Sequence, residues 1–153
     1  MDALHILTDD HQRMRQLVEN TRLQDLPPEK RAGFDQLVRN LKDHFTAAEN
    51  LLYPEVARLH ELRPAVTAEL EIHDRMKRFV KRLAKNRDDR EFSNQLEKLL
   101  HRVEALCDRE ENNLFPQIWH QLPHLQLLQI GMLIQRHRNA VDQEASARDA
   151  AGA

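Results

Sequence analysis

Shifted by 62 residues, the chain superposes on itself, and the coinciding positions include side chains able to bind a metal, His11 with His73 and Glu49 with Glu111. The stretch His11-Gln12-Arg13-Met14-Arg15-Gln16-Leu17-Val18 falls on His73-Asp74-Arg75-Met76-Lys77-Arg78-Phe79-Val80. In the same register, Glu49-Asn50-Leu51-Leu52-Tyr53-Pro54 falls on Glu111-Asn112-Asn113-Leu114-Phe115-Pro116. Each unit spans about two helices and cannot bury a face alone, so the halves, about 1–62 and 63–124, are expected to pack as one four-helix body. The seam shared by the halves is the natural place for a site.

At 153 residues the chain has the size of one ordinary domain. Only 3 glycines occur, 31% of residues are charged, and helix-forming residue types dominate, which selects an all-α class over a sheet. A formal net charge of -2, with both signs mixed along the chain, leaves no basic stripe for nucleic acid or an anionic membrane surface. The start of the chain lacks a basic, then apolar, leader pattern, and no stretch approaches the ~20 apolar residues of a membrane span. A soluble, cytoplasmic protein is therefore expected. The single cysteine, Cys107, cannot form an internal disulfide and reads as a small buried side chain.

Apolar residues recur at intervals of three and four in five segments. The first helix is expected from about Asp2, its N-cap, to Leu23, ahead of Pro27-Pro28. The second runs from about Pro28 or Glu29 to His60 with a kink or break at Pro54, and the third from Pro64 to about Asn86. The fourth spans about Glu91 to Phe115, with Pro116 repeating Pro54. A fifth, from about His124 to Glu144, caps the bundle. The domain is thus expected over 1–144, with 145–153 a frayed tail.

Writing out the buried stripe of each main helix exposes one polar residue in its middle. These are His11 among Leu4, Leu7, Met14 and Val18; His44 between Leu41 and Ala48; His73 between Leu70 and Met76; and Glu110 between Leu106 and Leu114. A charged carboxylate in an apolar seam costs several kcal/mol unless it is paired, protonated or bound to metal. For one lone histidine, a hydrogen bond to a neighbour is the simpler reading. Four converging polar residues, one per helix, with His11 and His73 related by the repeat, favour a metal site, since imidazole plus carboxylate suits iron, manganese or zinc. His101, His120, His124 and His137 fall off this constellation and read as surface or loop residues.

From Asp10-His11 through His44-Phe45 and Tyr53-Pro54 to the run Glu110–Pro116, the chain resembles the hemerythrin-like, or HHE, cation-binding family. That resemblance implies an up-down bundle of four main helices, here with an additional C-terminal helix. It also implies a non-haem di-iron centre held by a histidine from helices 1 and 3 and a His-x-x-x-Glu pair from helices 2 and 4. Matched position by position, His11, His44, His73 and Glu110 are present. Ala48 stands where the family has a bridging glutamate, and Leu106 where it has a histidine.

In the family pattern one metal takes the histidines of helices 1 and 2 and the other those of helices 3 and 4. His11, His44 and Glu110 therefore still form a two-histidine, one-carboxylate set of the kind associated with mononuclear non-haem Fe(II), with His73 as fourth ligand or outer partner. Glu49 and Glu111 stand one residue past the family's ligand positions; a solvent-facing or inter-helix place is the simpler reading, and substitution for a lost ligand the alternative. The first functional expectation is a metal-binding module that binds or senses dioxygen, nitric oxide or a peroxide at a mononuclear or altered di-iron site. The second is a metal-free scaffold acting through its surface, with Ala48 and Leu106 filling former ligand space. Enzymatic activity has thinner support, because no phosphate loop, dinucleotide fingerprint or nucleophile with an adjacent base occurs. The apolar residues of the fifth helix, Leu125, Leu127, Leu128, Ile130, Met132, Leu133 and Ile134, exceed one docking face and suggest a homodimer.

Overall fold

In a computed structural model, residues 1–152 are described, and they form a four-helix bundle closed by a long C-terminal helix. Helix α1 covers Ala3–Arg22 and is capped by Asp2, whose carboxylate accepts from the His5 amide at 3.0 Å. Helix α2 covers Pro27–Ala47 and passes into a π-helical turn, Ala48–Leu52, and then the short α3, Tyr53–Val56. Helix α4 covers Arg63–Ala84. Helix α5 covers Asp89–Arg109, capped by Asp88, and runs into a second π-helical turn, Glu110–Leu114, before α6, Phe115–Gln121. Helix α7 covers His124–Gly152.

The two π turns lie 62 residues apart, so the repeat extends to the backbone. In each, an N–H reaches back five residues instead of four: Tyr53 to the Ala48 carbonyl and Phe115 to that of Glu110. A proline follows directly in both cases, Pro54 and Pro116, and lacks the N–H that would continue the regular ladder. The irregularity thus lies before the proline, and each proline sits in the first turn of the helix beyond it. The apolar period carries helix 2 on to His60, but α3 ends at Val56.

Two apolar clusters fill the interior. One gathers Leu4, Leu7, Ala48, Leu52, Tyr53, Val66, Leu114, Phe115 and the inner face of α7. The other gathers Met14, Leu37, Leu41, Met76, Phe92, Leu99, Val103, Leu106 and Cys107. Along α1, α2 and α4 and at the end of α5, the chain passes from one cluster to the other close to His11, His44, His73 and Glu110 respectively. The polar residues therefore form a buried layer between two apolar cores, where every polar atom needs a partner. The remaining six histidines are all exposed.

Helix α7 docks through Leu127, Ile130, Gly131 and Ile134, whereas Leu125, Met132 and Leu133 remain exposed. It continues helically to Gly152 through the stretch the sequence marks for fraying, in keeping with the helix-favouring alanines there. A methyl group at Gly131 would collide with the main chain of Met1 and Asp2 at the start of α1. Since that backbone is held by the Asp2 cap, Gly131→Ala is expected to cost a net 1 kcal/mol or so, overlap outweighing the better helix propensity. A lower thermal midpoint for the variant, measured by circular dichroism, checks this.

Candidate metal centre

Glu110 occupies the middle of the polar layer, with no accessible surface. Its Oε2 faces His11 Nε2 at 2.9 Å and His44 Nε2 at 3.0 Å, while its Oε1 faces His73 Nε2 at 3.2 Å. All three rings are also fully buried. The fixed helical crossing explains the convergence: α1, α2 and α4 each aim one imidazole across the seam at a carboxylate carried where α5 enters its π turn. Phe115 stacks on His11 at 5.5 Å between ring centroids, and Phe45 lies 4.1 Å from His73, so aromatic walls close the layer.

Each histidine also meets a carboxylate at its other nitrogen. His44 Nδ1 lies 3.2 Å from Asp10 Oδ2, His73 Nδ1 lies 2.9 Å from Glu49 Oε2, and His11 Nδ1 lies 3.4 Å from Glu111 Oε2. Glu49 and Glu111 are thus placed on the outer side of the rings, away from Glu110, where they orient imidazoles. Every outer carboxylate has its own cation: Asp10 pairs with Arg138 and Arg13, Glu49 with Lys77, and Glu111 with Arg15. The charge of Glu110 is left for the histidines.

A neutral imidazole carries one N–H and cannot donate to carboxylates on both sides. Burial alone would lower the pKa of His44, but the Glu110 charge and the Asp10 hydrogen bond outweigh it and hold the ring at about 9. His73 follows the same balance, with burial opposed by Glu110, Glu69 and Glu49, and also stands at about 9. Burial likewise acts against ionisation of Glu110, yet the three histidines hold it well below the usual carboxylate range. Without metal, the layer holds an anion between the imidazolium rings of His44 and His73.

The donor atoms fall into two groups that share Glu110. His11, His44 and Glu110 bring ligand atoms within 4.8 Å of one another, and so do Glu69, His73 and Glu110. Glu69 is absent from the sequence-based set, although it stands four residues before His73 and hence on the same helical face. Its Oε1 lies 3.6 Å from His73 Nε2, and Arg109 holds it with two hydrogen bonds of 3.0 and 3.2 Å. Ala48 and Leu106, where the sequence lacks two ligands, are fully buried apolar contacts. Cys107 is buried too, and burial pushes its thiol up to about 12, which keeps it protonated and inert.

The Tyr53 hydroxyl points into this layer without a hydrogen-bond partner among the described residues. Burial, together with the charges of Glu110 and Glu69, holds its pKa well above the ordinary 10.

An all-α bundle with histidine and carboxylate groups converging between two apolar cores has the make-up of a metal-binding helical domain. The chain belongs to the hemerythrin family, matching its hemerythrin HHE cation-binding domain over residues 2–118. Neither a curated protein nor a solved structure matches it. Helix α7 begins beyond the matched residues. Among the described residues, no helix is long and apolar enough to cross a membrane.

Proposed function

We propose that the protein binds iron through His11, His44 and Glu110 and uses that centre to bind or sense a small ligand such as dioxygen, nitric oxide or a peroxide. The observation that carries this reading is the double carboxylate contact of His44 and His73 in a fully buried layer. Such contacts require either two protons or a cation between imidazole and Glu110, and one divalent ion carries the same charge as the two protons. The donor set fits the ion: two imidazole nitrogens and one carboxylate oxygen suit non-haem Fe(II), which when bound retains coordination positions for a small ligand. Manganese and zinc suit the same donors, and metal supply selects among them.

The charge balance favours one ion over two. Around the layer, every carboxylate other than Glu110 is already paired with a lysine or arginine, including Glu69 with Arg109. A second divalent ion at Glu69, His73 and Glu110 would add positive charge with no anion left to meet it. His73 then acts as a fourth ligand or a partner of Glu110. A groove of about 440 Å³ between α2 and α4, lined by Phe45 and the Glu49–Lys77 pair, lies outside the layer on the His73 side.

A metal-free scaffold is the second reading, and one observation favours it: Ala48 and Leu106 are packed without exposure, and the histidines already satisfy Glu110. On that reading the exposed Leu125, Met132 and Leu133 of α7 carry the function as a protein-contact or dimer face. Introducing Ala48→Glu together with Leu106→His separates the two readings. If the layer binds metal, the double variant should raise the metal content from about one to two ions per chain, measured by titration with Fe(II) under anaerobic conditions. Failure of both the wild type and the double variant to take up metal would leave the scaffold reading.

A further inference from the structure

Helix α7 lies outside the matched family domain, yet it supplies a side chain to the metal layer. Arg138 grips Asp10 with both ends of its guanidinium, Nη1 to Oδ1 at 2.9 Å and Nη2 to Oδ2 at 2.8 Å. Asp10 is almost completely buried, and its Oδ2 is the atom that meets His44 Nδ1. Arg138 is also the last residue of α7 that is not exposed, since every described residue from 139 onward faces solvent. The final anchor of the added helix is therefore two contacts away from a candidate ligand.

We infer that Arg138 is a positioning residue for the metal centre and that, through Asp10 and His44, it couples metal occupancy to the docking of α7. The inference rests on the metal-binding reading above and adds a regulatory output to it. A bidentate arginine fixes the plane and position of the Asp10 carboxylate, which a point charge would not do. The oriented carboxylate then fixes the His44 ring with its Nδ1 engaged and its Nε2 aimed at the layer, as outer partners of metal-bound histidines do. Binding free energies are reciprocal, so a helix that improves metal affinity is itself held more firmly when metal is bound. Beyond Arg138 the helix is a free rod, and a looser or tighter anchor changes what it presents to solvent.

The test uses the full chain with anaerobic Fe(II) as probe, in the wild type, Arg138→Met, Arg138→Lys, Asp10→Asn and the Asp10→Asn/Arg138→Met pair. Methionine keeps much of the apolar stem that packs beside α2, and thermal melts confirm folding of each variant. Affinity from chelator competition is expected to fall about 10- to 100-fold in Arg138→Met, with Arg138→Lys in between. The double variant should be no weaker than Asp10→Asn alone, because both act through one contact; a merely structural role of α7 would make the losses add. Amide exchange across residues 132–142 should slow several-fold on Fe(II) binding in the wild type and not in Asp10→Asn. Wild-type binding with unchanged affinity in Arg138→Met, or with α7 exchange indifferent to Fe(II), overturns this coupling while leaving the metal reading intact. Absence of Fe(II) binding by the wild type overturns both.

Discussion

Glu110→Gln should strip the protein of its metal and, in the same stroke, weaken the metal-free fold. One carboxylate serves all three histidines, at 2.9, 3.0 and 3.2 Å, and it alone belongs to both candidate ligand groups. The amide keeps the size of the side chain but replaces one acceptor oxygen with a donor and removes the charge. Losing an outer partner of a metal ligand costs about 10- to 100-fold in affinity, and losing the shared ligand itself should cost more than that. In the metal-free state the substitution leaves His44 and His73 without the anion that keeps them protonated. Breaking a buried pair from one side typically costs about 3–5 kcal/mol. Metal content by elemental analysis and urea unfolding in chelator read the two effects separately, and unchanged metal content would rule out Glu110 as a ligand.

The second large effect is a reversal with pH. His44 and His73 stand at about 9 in the fold against 6.5 when free, so their contribution to metal-free stability is fully present below 6.5 and is lost as pH rises through 9. At 1.36 kcal/mol per unit this is about 3 kcal/mol for each, and less than twice that for both, since the two rings draw on one carboxylate. Asp10 works the other way: burial would raise its pKa, but His44 and Arg138 bring it down to about 2, so its contribution is present above 3.8 and lost as pH falls through 2. The metal-free protein should therefore be most stable between 3.8 and 6.5. Metal must displace the His44 proton, and that of His73 as well where it is the fourth ligand, so affinity should rise with pH toward 9, about tenfold per unit for one proton and approaching a hundredfold when both leave. Chelator competition with Co(II) at pH 6, 7 and 8 measures that slope, while thermal melts in chelator over the same range should show stability falling. A metal affinity that does not change with pH would mean that these rings are not ligands.

Much of this molecule is legible in its sequence because the same spacing writes both the helices and the site. Three- and four-residue periodicity marks the apolar stripes, and the polar exceptions within them, His11, His44, His73 and Glu110, are the residues that meet in the fold. The residues that surround them are harder to read, for reasons of geometry. Asp10 lies one position off the stripe of α1, and of the two arginines that hold it beside His44, Arg13 and Arg138, the second arrives from 128 residues further along the chain. Glu49 looks directed away from the seam on a regular helix, but the π turn beginning at Ala48 changes the local register, and the carboxylate reaches the outer nitrogen of His73. Glu69 did have a signal, the i, i+4 relation to His73, yet it reads as one more charge on a highly charged helix until Arg109 and the core enclose it. The continuation of α7 to Gly152 depends on local propensity without burial, which a search for apolar periodicity passes over.

The most direct test of a metal centre on His11, His44 and Glu110 is elemental analysis of protein purified anaerobically from iron-replete cells, expressed as moles of each metal per chain. About one iron per chain in the wild type, falling to trace in Glu110→Gln, is the expected result. No metal above trace, together with a melt that added Fe(II), Mn(II) and Zn(II) leave unmoved, would contradict it.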